Sequence, residues 1–508
     1  MNKVVMIGID ALDSILLSKF ESELPNLREL MKNAPKIHMQ SVFPPDSPVA
    51  WASIYTGKSP ASTGIVYFRS PLDNKSFVTA LDDSENSIRG RLQGTCFWDY
   101  LSQHQKKVCV LFPLAVYPPW PVNGVMVSRS MRHLGANCAP AAYPSQIGKD
   151  KDLSGLNMIQ EISSLKASAL YKIIAKCKNL LSNEFSFGIE MLRKDDWDLF
   201  FMYSSVLDSI QHCFWSHHDD KDPTHVAGTP FKDVIKDFYV LYDKKIGELL
   251  SAVNSGSTVI IFSDHGHGMR PVNLVNINEI LRKEGYLVSK GGQNHQSNLS
   301  RFTEMAKRAA DRLISVHGVE VIAARLLRLF PWARKIYAAP SGVDWDKTIA
   351  CVSDLSGIKA YSYGGIEISG DAKKRNSYEE LRSAIIDRLS IIREPTSGIN
   401  IMKWICRREE LYQGEFINRY PDIVFELQEG YGIGWSIHCP IMGKSGTHEI
   451  HPGSHRSDSP VFLISYPGSE NFSQFNITLM DIAPTVLDLL NVHGDFLFDG
   501  KSIFNPEH

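Results

Sequence analysis

The chain has 508 residues, 43% of them hydrophobic, and a formal net charge of −2. Such a chain builds a large buried core, which excludes a disordered or repetitive protein and allows one large α/β domain with an insertion, or two to three domains. The near-neutral balance removes any general electrostatic reason to bind nucleic acid or an anionic membrane, so an anionic substrate must be handled by a local site.

The opening stretch is apolar, but Asp10 interrupts it too early for a signal-peptide core, and no run elsewhere reaches bilayer-spanning length. This predicts a soluble, cytoplasmic protein without a membrane span. The eight cysteines (Cys96, Cys109, Cys138, Cys177, Cys213, Cys351, Cys406 and Cys439) form no C-x-x-C pair and read as packing thiols in a reducing compartment.

Residues 4–9 read as a first buried strand that ends in a carboxylate, Asp10. Leu16, Leu17, Phe20, Leu27, Leu30 and Met31 then recur at three- and four-residue spacing and predict a helical cover for one face of a sheet. A Pro-rich loop from Phe43 runs into a helix stopped by Gly57, with Ser47 read at the N-cap and Pro48 at the first helical position. Serine at a helix start commonly just caps it, but a helix N-terminus also receives phosphate or sulfate groups, so Ser47 is a candidate nucleophile. Residues 107–111 read as another strand, leading into an irregular loop at 117–124.

Residues 198–203 read as a buried strand, and Asp208 and His212 follow it four residues apart. On a helical turn such a pair shares one face and can hold one metal ion, although an exposed pair is the commoner meaning of this spacing in isolation. An amphipathic helix over 231–250 leads into the run from Thr258 to Gly268, a β-branched strand closed by glycine that delivers Asp264 and His265 at its carboxyl end. Open α/β sheets bind their ligands at such ends.

Beyond Pro271 the composition changes. Residues 276–286 look helical, 289–298 like a polar connection, and 301–335 like a basic amphipathic helix solvated within an insertion. Strands at 360–368 and 422–427 flank a helical stretch at 378–392. The organisation predicted is a core in two parts, 1–285 and 431–508, with an inserted cap at 286–430. Residues 446–456 concentrate His448, His451 and His455 in a Gly/Pro loop ahead of a strand at 460–465.

Asp10, Ser47, Asp208, His212, Asp264, His265 and a late histidine suffice for two divalent ions, with zinc first by histidine content and manganese the alternative. Their order resembles the alkaline phosphatase superfamily, and within it the nucleotide pyrophosphatase/phosphodiesterase branch. The resemblance runs over nearly the whole chain, through Gly8-Ile-Asp10, Pro48-Val-Ala-Trp51, Tyr117 to Gly124, Asp208-Ser-Ile-Gln-His212, Ser263-Asp-His-Gly266, Pro421-Asp-Ile-Val424, Gly453-Ser-His-Arg456 and Asp481-Ile-Ala-Pro-Thr485. It implies an alkaline phosphatase-like α/β/α sandwich with a central, mostly parallel sheet and an inserted subdomain. It also implies that Asp208, His212 and His455 hold one ion and Asp10, Asp264 and His265 the other, with Ser47 bridging toward the second. His448 is the runner-up for the late histidine, His451 stands behind it, and His267 is read as a loop histidine outside the set.

The chemistry implied is hydrolysis of a phosphodiester or pyrophosphate bond, in a small phosphate ester or nucleotide-like substrate, through a phosphoseryl intermediate on Ser47. The alternatives are a phosphomonoesterase or phosphotransferase on the same site, with Arg129 or Arg456 as phosphate partners, and a catalytically silent binding protein of this fold. Three departures keep substrate preference from being carried over. Pro48 lacks the backbone N–H that the residue after the nucleophile commonly offers, Ala50 stands where the nucleotide pyrophosphatases carry asparagine, and Thr63 where relatives often carry histidine.

Overall fold

A seven-stranded sheet organises the chain. The computed structural model describes residues 3–66, 85–131, 139–159, 167–290, 342–353, 360–449, 451–466 and 475–505. From one edge to the other the strands are Phe462–Ser465, Thr258–Phe262, Val4–Ile9, Leu199–Ser204, Val108–Leu111, Gly124–Ser128 and Ala141–Tyr143. The inner five run parallel, and each edge strand is antiparallel to its neighbour. Val4–Ile9, Leu199–Ser204 and Thr258–Phe262 are buried along their whole length, as their unbroken apolar sequences require of strands covered on both faces.

Alternate side chains of one strand reach different layers. Phe201 stacks near Trp98 and Trp51, whereas a Cβ on Gly188 would meet the sulfur of its neighbour Met202 at 2.7 Å. One helical layer therefore contains Ser47–Thr56, Phe97–Gln103 and Ile482–Leu489, and the other Ala167–Lys194, Val206–His218 and Val234–Leu250. The chain is thus an α/β sandwich around a mostly parallel sheet, as the family resemblance implies.

Two local readings need correction. The helical cover after the first strand is broken into Ser14–Phe20, a 3-10 turn at Glu21–Glu23, and Pro25–Asn33, because Pro25 cannot donate into a continuing helix but suits the first position of a new one. Ser47 is the first helical residue; the N-cap is Asp46, with extended backbone, and Pro48 sits in the first turn. The end of this helix follows the sequence, with Gly57 left-handed (φ 65°) and its amide on the Ser53 carbonyl.

A second sheet, entirely antiparallel, has the order Ala350–Ser353, Tyr363–Ile368, Ile423–Leu427, Met402–Arg407, and the helix Tyr378–Ser390 packs on it. Its apolar residues form a separate cluster drawn from Val275 to Ile437. The basic pattern at 301–335 and most of the 289–298 connection lie outside the described residues. No helix among the described residues is long and apolar enough to cross a membrane.

Candidate active site

Parallel pairing in register lines up the carboxyl ends of three adjacent strands, with Gly8 opposite both Phe262 and Tyr203. Asp10 follows the middle strand, Asp264 and His265 follow one neighbour, and Asp208 and His212 lie on the helix Val206–His218 that follows the other. Ser47 enters from the first turn of its own helix, a largely apolar segment held against the middle strand by Trp51. The absence of a side chain at Gly8 permits that approach, since a Cβ there would lie 2.5 Å from the Trp51 ring. The loop predicted for 446–456 is partly regular: Gly453–Arg456 pairs antiparallel with Gly266–Met269, which sets His455 opposite His267.

The seven residues singled out from the sequence converge. Ser47 Oγ is 3.1 Å from His265 Nε2 and donates to Asp10 Oδ1 at 3.4 Å. His265 Nε2 lies 3.5 Å from Asp10 Oδ1 and 3.3 Å from Asp264 Oδ2. On the other side, Asp208 Oδ1 lies 3.3 Å from His212 Nε2 and 3.6 Å from His455 Nε2. The rings of His265 and His455 stack between the two groups with centroids 3.9 Å apart.

Three carbonyl oxygens decide the tautomers. His212 Nδ1 faces Gly453 O at 2.9 Å, His265 Nδ1 faces Gly266 O at 3.0 Å, and His455 Nδ1 faces Pro45 O at 3.0 Å. A carbonyl only accepts, so each ring carries its hydrogen on Nδ1 and turns an Nε2 lone pair inward. Two of those lone pairs, on His212 and His455, are 3.1 Å apart. Asp208 Oδ1 and Asp264 Oδ2 are buried and accept no hydrogen bond from the described residues. Lone pairs and carboxylates aimed at one another are costly unless a cation lies between them, so the donor set fits divalent metal ions.

The electrostatics agree. Burial, and then the charge of Asp208, push the Asp10 carboxyl up to about 7, although Tyr203 donates to its Oδ2 at 2.6 Å and Trp51 at 3.3 Å. Burial and Asp10 raise Asp264 well above the ordinary carboxyl range, while burial and His455 hold His265 well below the ordinary imidazole range. Without a cation the pocket resists the charged forms of Asp10, Asp264 and His265. Ala11, between Asp10 and the first helix, is left-handed (φ 60°); its amide reaches Asp264 Oδ1 at 3.3 Å and its carbonyl accepts from Gln211 at 2.8 Å.

The other candidates sit elsewhere. His448 is buried with Nδ1 at Arg270 O (2.8 Å) and Nε2 at Asp222 Oδ1 (2.9 Å), which occupies both nitrogens away from the cluster. Arg129 is sealed against Glu184 at 2.6 Å, and Arg456 pairs with Asp458 and Glu429. His267, set aside as a loop histidine, lies on a strand with Nδ1 3.5 Å from Asp208 Oδ1. Its spacing of two from His265 was the available signal, because alternate residues of an extended segment share a face.

Residues 4–455 match the family model described as type I phosphodiesterase / nucleotide pyrophosphatase. The chain belongs to this family. Membership makes it a phosphodiesterase/pyrophosphatase-type hydrolase of the alkaline phosphatase superfamily. No curated protein matched the sequence. Among solved structures, the fold resembles phosphonoacetate hydrolase from Sinorhizobium meliloti 1021 in complex with phosphonoformate, at 14% identity over 97% of this chain and 95% of that one, with a TM-score of 0.52. It also resembles an inactive variant of murine ectonucleotide pyrophosphatase/phosphodiesterase 5 in complex with AMP, at 16% identity over 99% and 98% of the two chains, with a TM-score of 0.50. At such identities the likeness concerns the fold alone.

Proposed function

We propose that this member of the family is a two-metal hydrolase that cleaves a phosphodiester or pyrophosphate bond through a phosphoseryl intermediate on Ser47. The observation that carries the reading is Ser47 Oγ at the head of a buried helix, 3.1 Å from His265 Nε2 and 3.4 Å from Asp10 Oδ1. Asp208, His212 and His455 would hold one divalent ion and Asp10, Asp264 and His265 the other, with zinc suited to the imidazoles and manganese to the carboxylates. Bound there, such ions lower the pKa of the serine hydroxyl and neutralise phosphoryl oxygens.

The chain's own part is placement. Trp51 packs the Ser47 helix against the middle strand, so Oγ approaches phosphorus from one fixed direction. The Oγ–P bond forms as the P–O bond to the leaving alcohol or phosphate breaks, and water then cleaves the seryl ester and restores the hydroxyl. Beyond the amide of Ser47 itself, the helix start adds little oxyanion stabilisation of its own. Pro48 has no N–H, and the amides of Val49 and Ala50 are engaged by Asp46 O at 2.9 Å each.

The substrate is a small phosphate ester or nucleotide-like molecule, in keeping with the AMP bound by the murine relative. Preference for a diester is supported by the commitment of Arg129 and Arg456 to carboxylates, since a monoester brings more negative charge to neutralise. Residues 286–430 would act as a cap: Tyr420 donates to Phe43 O at 2.5 Å, Trp404 packs on Phe43, and Tyr361 lies 5.9 Å from the His455 ring. The seven free cysteines among the described residues support a cytoplasmic location.

The test is turnover of aryl phosphodiester, phosphomonoester and sulfate substrates by the metal-loaded protein, by Ser47→Ala, and after chelation. Diesterase activity should be lost in the variant and on chelation. Undiminished turnover in Ser47→Ala would overturn the assignment, faster monoester turnover would favour the phosphatase reading, and a metal-loaded protein inert on all three would favour a silent binding protein.

A further inference from the structure

We infer that His267 is a third imidazole donor to the metal position formed by Asp208, His212 and His455, giving that position four protein ligands. The inference rests on the two-metal reading above.

His267 is 1% exposed, and neither of its ring nitrogens has a hydrogen-bond partner among the described residues. A buried imidazole left so is expensive, and other histidines show how this fold satisfies one: His448, outside the cluster, has both nitrogens occupied, and His212, His265 and His455 each turn Nδ1 to a carbonyl. The ring of His267 is also held firmly. Its backbone N–H donates to Asp13 Oδ2 at 3.1 Å, its ring centroid lies 5.6 Å from that of Trp215, and Gly453 leaves it room, since a Cβ there would come within 2.5 Å of Nε2. What this packing aims inward is Nδ1, toward Asp208 Oδ1.

Four of the six donor separations suit a four-coordinate ion. Asp208 Oδ1 is 3.3 Å from His212 Nε2, 3.5 Å from His267 Nδ1 and 3.6 Å from His455 Nε2, and the Nε2 atoms of His212 and His455 are 3.1 Å apart. Tetrahedral bonds of about 2.0–2.1 Å separate neighbouring donor atoms by about 3.3–3.4 Å. A direct hydrogen bond from His267 to Asp208 is the competing explanation, and 3.5 Å is long for one. Four protein donors leave a four-coordinate ion no open position, so a phosphoryl oxygen could join only by expansion to five.

The experiment loads the wild type, His267→Phe and His267→Gln with Co2+ or Zn2+ and reads stoichiometry, the visible Co2+ spectrum and the imidazole count by X-ray absorption. The inference expects two ions and four coordinated imidazoles in the wild type. In the variants one position should bind more than about 100-fold more weakly, beyond the range for loss of an outer-shell partner, with a changed Co2+ spectrum. Three imidazoles shared by two ions in the wild type, or an unchanged spectrum in His267→Phe, would overturn it while leaving the two-metal reading intact. A wild type that takes up fewer than two ions would overturn both. The imidazole count needs no variant and decides the matter even if the substitutions impair folding.

Discussion

Tyr203→Phe removes one oxygen atom from the wall of the site and nothing from its packing. That hydroxyl donates to Asp10 Oδ2 at 2.6 Å, with both residues buried, and it lowers an Asp10 pKa that burial and the charge of Asp208 nonetheless raise to about 7. A hydrogen bond to a charged group contributes about 1.5–3 kcal/mol, and one pKa unit corresponds to about 1.4 kcal/mol, so its loss should lift the carboxyl by about one to two units more. Asp10 must lose its proton to hold a cation, and Trp51 alone then remains on Oδ2. Metal affinity near neutral pH should fall about 10–100-fold, and the pH of half-saturation should move upward by a similar one to two units. Titration calorimetry against a competing chelator across about pH 6 to 8 measures both quantities. Equal affinities for the two proteins across that range would mean that the Asp10 carboxylate has no part in holding the ion.

Two further outcomes separate the site from its surroundings. In metal-free protein the folded-state pKa of Asp10, about 7, stands above the ordinary 3.8, so the ionised carboxylate destabilises the fold fully above about pH 7 and progressively less as pH falls toward 3.8. Asp10→Asn, stripped of metal, should therefore resist urea better than the wild type at alkaline pH, with the gain shrinking on acidification; a gain independent of pH would contradict the assignment. His455→Ala should lose an ion by elemental analysis, whereas His448→Ala should keep both ions and lose about 1–3 kcal/mol of stability, since it leaves Asp222 without its buried partner. Loss of metal in His448→Ala alone would reverse that choice.

Much of the site was legible because strand ends are. A β-branched run closed by a carboxylate, as at Asp10 and Asp264, marks both a buried strand and the edge where a parallel sheet binds ligands, and Asp208 with His212 shows a helical face by spacing alone. What was less legible depended on pairing between distant segments. His455 and His448 stand in similar Gly/Pro surroundings, and only the ladder between Gly453–Arg456 and Gly266–Met269 turns one into the cluster while Asp222 holds the other. The same ladder makes a strand residue of His267. The break at Pro25 and the N-cap at Asp46 are one-residue matters in which local chemistry was read with the right elements and the wrong boundary. The second sheet is strand-like in sequence, but its order, with Ile423–Leu427 between Tyr363–Ile368 and Met402–Arg407, follows from tertiary pairing.

Nucleophilic attack by Ser47 is tested most directly by acid quenching of the metal-loaded protein during turnover of a phosphodiester, followed by peptide mass spectrometry. A covalent phosphoryl adduct is expected on the peptide containing Ser47, absent from Ser47→Ala. Turnover with the adduct on another residue, or in a Ser47→Ala protein that hydrolyses the ester as fast as the wild type, would contradict it.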